Sequence, residues 1–103
     1  MASKQVKLER KYPPDLRTHF VTNIVVQHQP DFFTLLFYEV FPPPILGDTP
    51  EQRRTQLESL DHVDAICVAR LIVTPEKMRD FAKVINDNVA NYEATMKART
   101  KQN

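Results

Sequence analysis

Glycine and cysteine are almost missing from this chain, which contains one of each, Gly47 and Cys67. A glycine-rich phosphate loop needs several backbone amides that approach a phosphate without β-carbons in the way, so the common kinds of nucleotide site are not expected. A single cysteine cannot form an internal disulfide. Because Cys67 lies in an apolar run, we expect it to be a small buried hydrophobic side chain.

A large charge excess and a long apolar run are also missing. The 14 Lys and Arg residues nearly balance the 13 Asp and Glu residues, so no overall field demands nucleic acid or an acidic membrane. No run approaches the roughly 20 apolar residues that span a bilayer, and the first residues lack the apolar stretch of a secretory signal. We therefore expect a cytoplasmic protein without membrane association.

Residues that often carry chemistry are scattered along the chain. The three histidines show no His-x-x-x-His spacing, and the cysteine has no Cys-x-x-Cys partner, so no zinc site is predicted. Ser3 and Ser59 lie in segments that we predict to be the tail and the surface helix, and Cys67 lies inside a strand without a local base. The sequence therefore predicts no catalytic residue, no metal site and no cofactor.

The length of 103 residues allows one domain with one modest core. The start of the chain is polar and basic and ends in Pro13 and Pro14, which lack amide donors and resist helix and central strand alike. We predict a flexible basic arm over residues 1–16, a single domain over 17–97 and a disordered basic tail over 98–103.

Three apolar segments predict strands near residues 18–27, 32–41 and 65–73. The first alternates apolar with polar side chains and is rich in β-branched residues, whereas the other two are apolar on both faces. Pro30 and Asp31 supply turn chemistry, which predicts that the first two strands form an antiparallel hairpin. Strict alternation in the third strand places Cys67, Leu71 and Val73 on one face and Ile66, Val68 and Ile72 on the other.

The triplet Thr-Pro-Glu occurs twice, and each copy predicts a helix start. The first copy, at residues 49–51, is followed by Gln52, which can complete a capping box, so a short surface helix is predicted near residues 50–60. The second copy, at residues 74–76, predicts a long C-terminal helix over 75–97. Together these elements predict an α+β fold with a three-stranded antiparallel sheet packed on the long helix.

The long helix carries one continuous apolar seam. Its members recur at alternating spacings of four and three residues: Met78, Ala82, Ile85, Val89, Tyr92 and Met96. We expect the seam to lie along the chain's own sheet, with an intermolecular coiled coil as the alternative. We expect Tyr92 to be structural rather than catalytic, and the amide of Asn88 beside it can bond a sheet edge or a neighbouring chain.

Four stretches carry a resemblance to a known family: TNIVV at residues 22–26, PDFFTLLF at 30–37, ARLIVTPE at 69–76 and NVANYE at 88–93. They resemble a small prokaryotic family known only as a domain of unknown function, number 3467. The chain departs from that pattern at Leu36, where an acidic residue is common, and in a long connection that contains its own helix. The resemblance implies a compact strand, strand, strand, helix unit and supplies no activity, substrate or catalytic residue.

We expect a non-enzymatic interaction or assembly module that forms a homodimer or a higher homo-oligomer. A strand that is apolar on both faces needs cover on both sides, and one helix covers only one side of a small sheet. The candidate oligomer interface comprises Phe33, Leu35 and Phe37. The surface helix over residues 49–60 is a candidate site for a protein partner.

The alternative function is weak nucleic-acid binding through basic tails. The candidate polyanion contacts in the arm are Lys4, Lys7, Arg10 and Lys11, and the end of the chain adds Lys97, Arg99 and Lys101. An enzyme is the third possibility, and it would require a concave pocket with convergent polar groups.

Overall fold

The chain forms two strands, a short helix, a third strand and a long helix. A computed structural model describes residues 4–42 and 44–101. The elements are β1 (Asn23–His28), β2 (Phe33–Phe41), α1 (Pro50–Glu58), β3 (Asp64–Val73) and α2 (Pro75–Lys101). The predicted α+β class is confirmed. Residues 1–3 of the predicted arm and 102–103 of the predicted tail lie outside the described residues.

The three strands form one antiparallel sheet in the order β1-β2-β3. The predicted hairpin joins β1 to β2, and the Gln29 N–H donates to the Phe32 carbonyl at 2.8 Å across its turn. In the register, Val26 lies opposite Leu35, which lies opposite Leu71. Directly opposed side chains share a face of the sheet. These registers therefore assign each paired strand residue to one of two faces.

A β-bulge in β3 changes the assignment that strict alternation predicts. Phe37 pairs with Ala69 but Tyr38 pairs with Cys67, so Val68 is the extra residue. Beyond the bulge Ile66 pairs with Glu39, which places Ile66 on the same face as Leu71. The predicted grouping of Cys67 with Leu71 is therefore wrong, because one inserted residue reverses the facing of the residues before it.

Strand β1 begins at Asn23, five residues later than the predicted start at residue 18. The Thr22 N–H still donates to the Tyr38 carbonyl at 3.1 Å, and the Val40 N–H donates to the Thr22 hydroxyl at 3.3 Å. The acceptor for the Val40 N–H is therefore the Thr22 side-chain hydroxyl, whereas a regular antiparallel ladder would supply a backbone carbonyl. The preceding residues remain beside β2, as a 2.8 Å contact between His19 Nδ1 and Glu39 Oε1 shows, but without strand pairing.

Both Thr-Pro helix starts are confirmed. The Gln52 N–H donates to the Thr49 hydroxyl at 3.1 Å, and the Gln52 side chain accepts from the Thr49 backbone N–H at 3.3 Å, which completes the capping box. The Lys77 N–H donates to the Thr74 hydroxyl at 3.3 Å. Helix α2 continues to Lys101, so residues 98–101 are helical and the predicted boundary at 97 is wrong. Arg99 and Lys101 favour this extension, since cations stabilise the last turn of a helix.

None of the residues in 4–42 and 44–101 is fully buried. The radius of gyration is 21.2 Å, whereas a compact chain of this length has about 13 Å. Close contact between elements is concentrated within the sheet, and α2 makes only slight contact with any strand. Cys67, which we expected to be buried, is exposed because no helix lies over its face of the sheet.

Candidate self-association surface

Two faces of the sheet can be distinguished by what lies against them. The helix face lies toward the start of α2 and comprises Ile24, Val26, His28, Phe33, Leu35, Phe37, Glu39, Phe41, Asp64, Ile66, Ala69, Leu71 and Val73. The opposite face comprises Asn23, Val25, Gln27, Thr34, Leu36, Tyr38, Val40, Ala65, Cys67, Arg70 and Ile72. The helix face is mainly apolar and has its polar groups at His28, Glu39 and Asp64, whereas the opposite face intersperses amide, hydroxyl and guanidinium groups that tolerate water.

The first turns of α2 meet the helix face across an apolar groove of about 220 Å³. Ile24, Val26 and Leu35 line the groove from the sheet. The lining from α2 is Met78, Phe81, Ala82, Ile85 and Asn86. Because the contribution of α2 ends at Asn86, residues 87–101 continue for roughly 22 Å at 1.5 Å per residue.

The apolar seam continues into that distal part of α2 and is exposed there. Val89 is 47% exposed and Tyr92 is 62% exposed. Ile85, at the end of the groove, is itself 59% exposed. The expectation that the seam lies along the chain's own sheet therefore holds only for the first turns. The first turns of α2 line the groove with the sheet, and no residue of the seam beyond Asn86 lines that groove.

The predicted interface residues Phe33, Leu35 and Phe37 are half-buried on the helix face. Leu35 lines the groove with α2, and the ring of Phe33 lies 6.0 Å from that of His28. Phe37 and Phe41 extend the same face away from the start of α2. Sequence reasoning missed Ile66 and Leu71 as members of this surface, since assigning them requires the register of β3 and the position of its bulge.

The predicted polyanion contacts lie on two separate parts of the molecule. Lys4, Lys7, Arg10 and Lys11 are exposed in a segment without helix or strand. Lys97, Arg99 and Lys101 are exposed on the last turns of α2. The candidate contacts therefore belong to two different segments of the chain, one without regular structure and one helical.

Helix α1 and the loop before it form a polar unit. Gly47 lies so close to α1 that a β-carbon there would stand 2.8 Å from the Arg53 backbone nitrogen. Its N–H donates to Gln56 Oε1 at 3.0 Å, and its carbonyl accepts from Arg53 at 3.1 Å. Local hydrogen bonds therefore hold the candidate partner helix, and its exposed surface offers few apolar contacts.

Titratable groups meet in isolated pairs. His62 Nε2 lies 3.6 Å from Asp64 Oδ1, and Lys83 Nζ lies 2.8 Å from Asp87 Oδ2. In the described part of the chain, no three His, Cys, Asp or Glu side chains are placed to hold a metal ion. Among the helices described, none is long and apolar enough to cross a membrane.

The fold and this surface define a small α+β domain whose long helix and sheet are only partly covered. The chain belongs to the family described as a protein of unknown function, DUF3467, whose family model matches residues 1–97. The resemblance in the sequence is thereby confirmed. Searches of curated proteins and of solved structures found no match.

Proposed function

We propose that this protein is a non-enzymatic assembly module that acts in the cytoplasm by self-association through the helix face of its sheet. The observation that carries the proposal is the exposed apolar surface of a chain with no buried residue among those described. A single chain leaves this surface in water, and a second chain removes it from water.

The size of the exposed area supports self-association. The accessible surface is 10107 Å², whereas a compact protein of this mass has about 6000 Å². Part of the excess belongs to the extended residues 4–22, and the rest comes from the sheet faces and α2. A chain in an obligate dimer buries about 1000–2500 Å². The excess of about 4000 Å² is therefore large enough for a stable dimer.

The free energy of burying apolar side chains of the sheet also supports self-association. Leaving Phe33, Leu35 and Phe37 half-exposed in a single chain forgoes about half of the roughly 1.5–3 kcal/mol that full burial of each side chain contributes. That loss is a large fraction of the roughly 5–15 kcal/mol that stabilises a small domain. The association is therefore tight, and folding and assembly are coupled.

Light scattering at micromolar concentration tests the proposal. The expected result is a fixed oligomer, a dimer in the simplest case, whose mass does not change after nuclease treatment. A folded monomer at that concentration contradicts it. An oligomer that dissociates on nuclease treatment and in high salt instead supports nucleic-acid binding, since affinity for polyanions falls steeply with salt.

Weak nucleic-acid binding is the second candidate function, and the exposed cations at both ends of the chain favour it. Lys4, Lys7, Arg10 and Lys11 and the C-terminal Lys97, Arg99 and Lys101 supply three or four charges per end. A dimer doubles that number, so retention of nucleic acid with steep salt dependence is the expected signature.

A further inference from the structure

We infer that the distal seam of α2, from Val89 to Met96, packs on the helix face of a second copy of this chain, at the end that its own α2 leaves open. Each chain thereby covers its own sheet with the first turns of α2 and the partner's sheet with the last turns. This inference names the partner and the geometry of the proposed self-association, and it rests on that proposal.

The first argument is that one continuous apolar seam runs along α2, so the same seam can contact the chain's own sheet and the partner's sheet. Met78, Ala82 and Ile85 meet the chain's own sheet, and the same stripe continues to Met96 without a polar interruption. Apolar side chains on one face of a helix are removed from water only where that face contacts another apolar surface. Beyond Asn86 no residue of α2 lines the groove with the chain's own sheet, and Val89 and Tyr92 are 47% and 62% exposed.

The uncovered end of the helix face supplies the second argument. Phe41 and Ile66 are each 53% exposed, and Phe37 lies between them and the groove. Glu39, on the same face, is hydrogen bonded to His19 at 2.8 Å, so covering it does not strand an unpaired carboxylate. Asp64, opposite Phe41, lies 3.6 Å from His62, so this end of the sheet combines an apolar surface with two carboxylates that each have a histidine partner.

The lengths of the two surfaces agree. From Val89 to Met96 the seam spans about 10 Å at 1.5 Å per residue. From Phe37 to Phe41 the open end of the helix face spans about 13 Å at 3.3 Å per residue. A two-fold axis repeats the contact, because residues of α2 that meet the partner's sheet are met in turn by the partner's α2.

Two other dimers explain the exposed surface less completely. A coiled coil of α2 helices alone leaves Phe37, Phe41 and Ile66 in water. A dimer through the opposite face buries Arg70 and the side-chain amides of Asn23 and Gln27 and leaves the seam of α2 exposed. Only the reciprocal contact removes the seam and the open end of the helix face from water together.

Two matched pairs of lysine substitutions test the inference. The first pair is Val89→Lys, on the seam, and its control Ala94→Lys. Ala94 lies about 140° around the helix from Val89, because successive helical residues advance by about 100°. Ile66→Lys lies on the helix face and Ile72→Lys, whose parent side chain is 69% exposed, lies on the opposite face of the same strand. Val89 lies beyond the groove, so its substitution preserves the contact between α2 and the chain's own sheet.

Sedimentation equilibrium gives the dissociation constant of the dimer for each variant. We expect Val89→Lys and Ile66→Lys each to raise it about 30-fold or more, the effect of losing a 2 kcal/mol hot spot. Ala94→Lys and Ile72→Lys should leave it within about threefold. Dissociation by Val89→Lys with no effect of Ile66→Lys indicates a helix-only coiled coil and overturns the inference. Dissociation by Ile72→Lys alone indicates the opposite face and also overturns it.

A second measurement uses the unsubstituted chain, so it does not depend on any variant folding. Isotope-filtered nuclear Overhauser contacts in a dimer of labelled and unlabelled chains report only contacts between chains. Contacts from Val89 methyl groups to the Phe41 ring or the Ile66 methyl groups support the inference. A dimer without them overturns the inference and preserves the proposed self-association, whereas a monomeric parent chain overturns both.

Discussion

Helices α1 and α2 begin with the same three residues and differ in everything that follows. Thr49-Pro50-Glu51 opens α1, and Thr74-Pro75-Glu76 opens α2. Helix α1 has 9 residues and a polar surface, whereas α2 has 27 residues and carries the apolar seam. The capping chemistry decides where a helix starts. The periodicity after the cap decides whether tertiary or quaternary contacts are needed to stabilise the helix.

The two helices also end differently for local reasons. After Glu58 the Ser59 N–H donates back to the Thr55 carbonyl at 3.1 Å, and the helix gives way to the loop before β3. Helix α2 runs on for about 40 Å, because most residues from 93 to 101 have good helix propensity and its last turn carries cations. The proposed self-association gives the distal part of α2 a second surface to contact, which α1 does not require.

The largest expected effect that separates the two helices comes from truncating an apolar side chain in each. Tyr92→Ala in α2 should lower the free energy of unfolding by about 3 kcal/mol or more, because the proposed self-association buries a ring that is 62% exposed in the single chain. Leu57→Ala in α1 should lower it far less, since Leu57 has no apolar seam around it. Chemical denaturation of the dimer measures both, and Tyr92→Phe should retain most of the stability. An unchanged midpoint for Tyr92→Ala contradicts the structural role of this tyrosine.

A second test probes the helix face of the sheet, against which α2 lies and α1 does not. Leu35→Ala should cost about 2 kcal/mol, the lower end for a leucine, because the side chain is only half-buried in this chain. Ile72→Ala on the opposite face is the matched control and should cost much less. Thermal and chemical denaturation provide the measurement. Equal costs at the two positions would mean that the helix face is not the stabilising one.

A third test removes the same cap from each helix. Thr74→Ala should cost about 1 kcal/mol of global stability, because α2 unfolds only with the sheet and the assembly. Thr49→Ala should speed hydrogen exchange of α1 amides with little change in the global midpoint, because α1 is held by local hydrogen bonds. Global destabilisation by Thr49→Ala would show that α1 is integrated with the core and contradict this contrast.

The smallest expected effect concerns charge at the end of α2. Replacing Lys97, Arg99 and Lys101 by Gln and removing residues 1–11 should abolish a weak, salt-sensitive binding of DNA without sequence preference. Arg54→Gln in α1 is the control and should leave that binding nearly unchanged. Fluorescence anisotropy at two salt concentrations measures it. DNA binding equal to that of the full chain would exclude the tails as contacts.

Sequence reasoning recovered the elements that short stretches of chain specify. The two helix starts are each marked within four residues, by Thr49 with Gln52 and by Thr74 with Pro75. The hairpin is marked by Pro30 with Asp31. It placed Phe33, Leu35 and Phe37 on one face of β2, which the registers confirm. It did not recover the end of α2 or the start of β1. Helix ends depend on weak propensity differences, and the ladder at Thr22 is broken by a side-chain hydrogen bond.

The amino-acid sequence by itself determined where the helices begin, which segments form strands and the single stripe of apolar residues along α2. These features arise from caps, turns and periodicity, which act over a few residues. Only the tertiary structure decided the facing of Ile66 and Cys67, because the bulge at Val68 reverses alternation and depends on pairing between distant strands. It also decided that the groove between α2 and the sheet is lined by α2 only as far as Asn86, since the path of a helix over a sheet depends on the three-dimensional joining of β3 to α2.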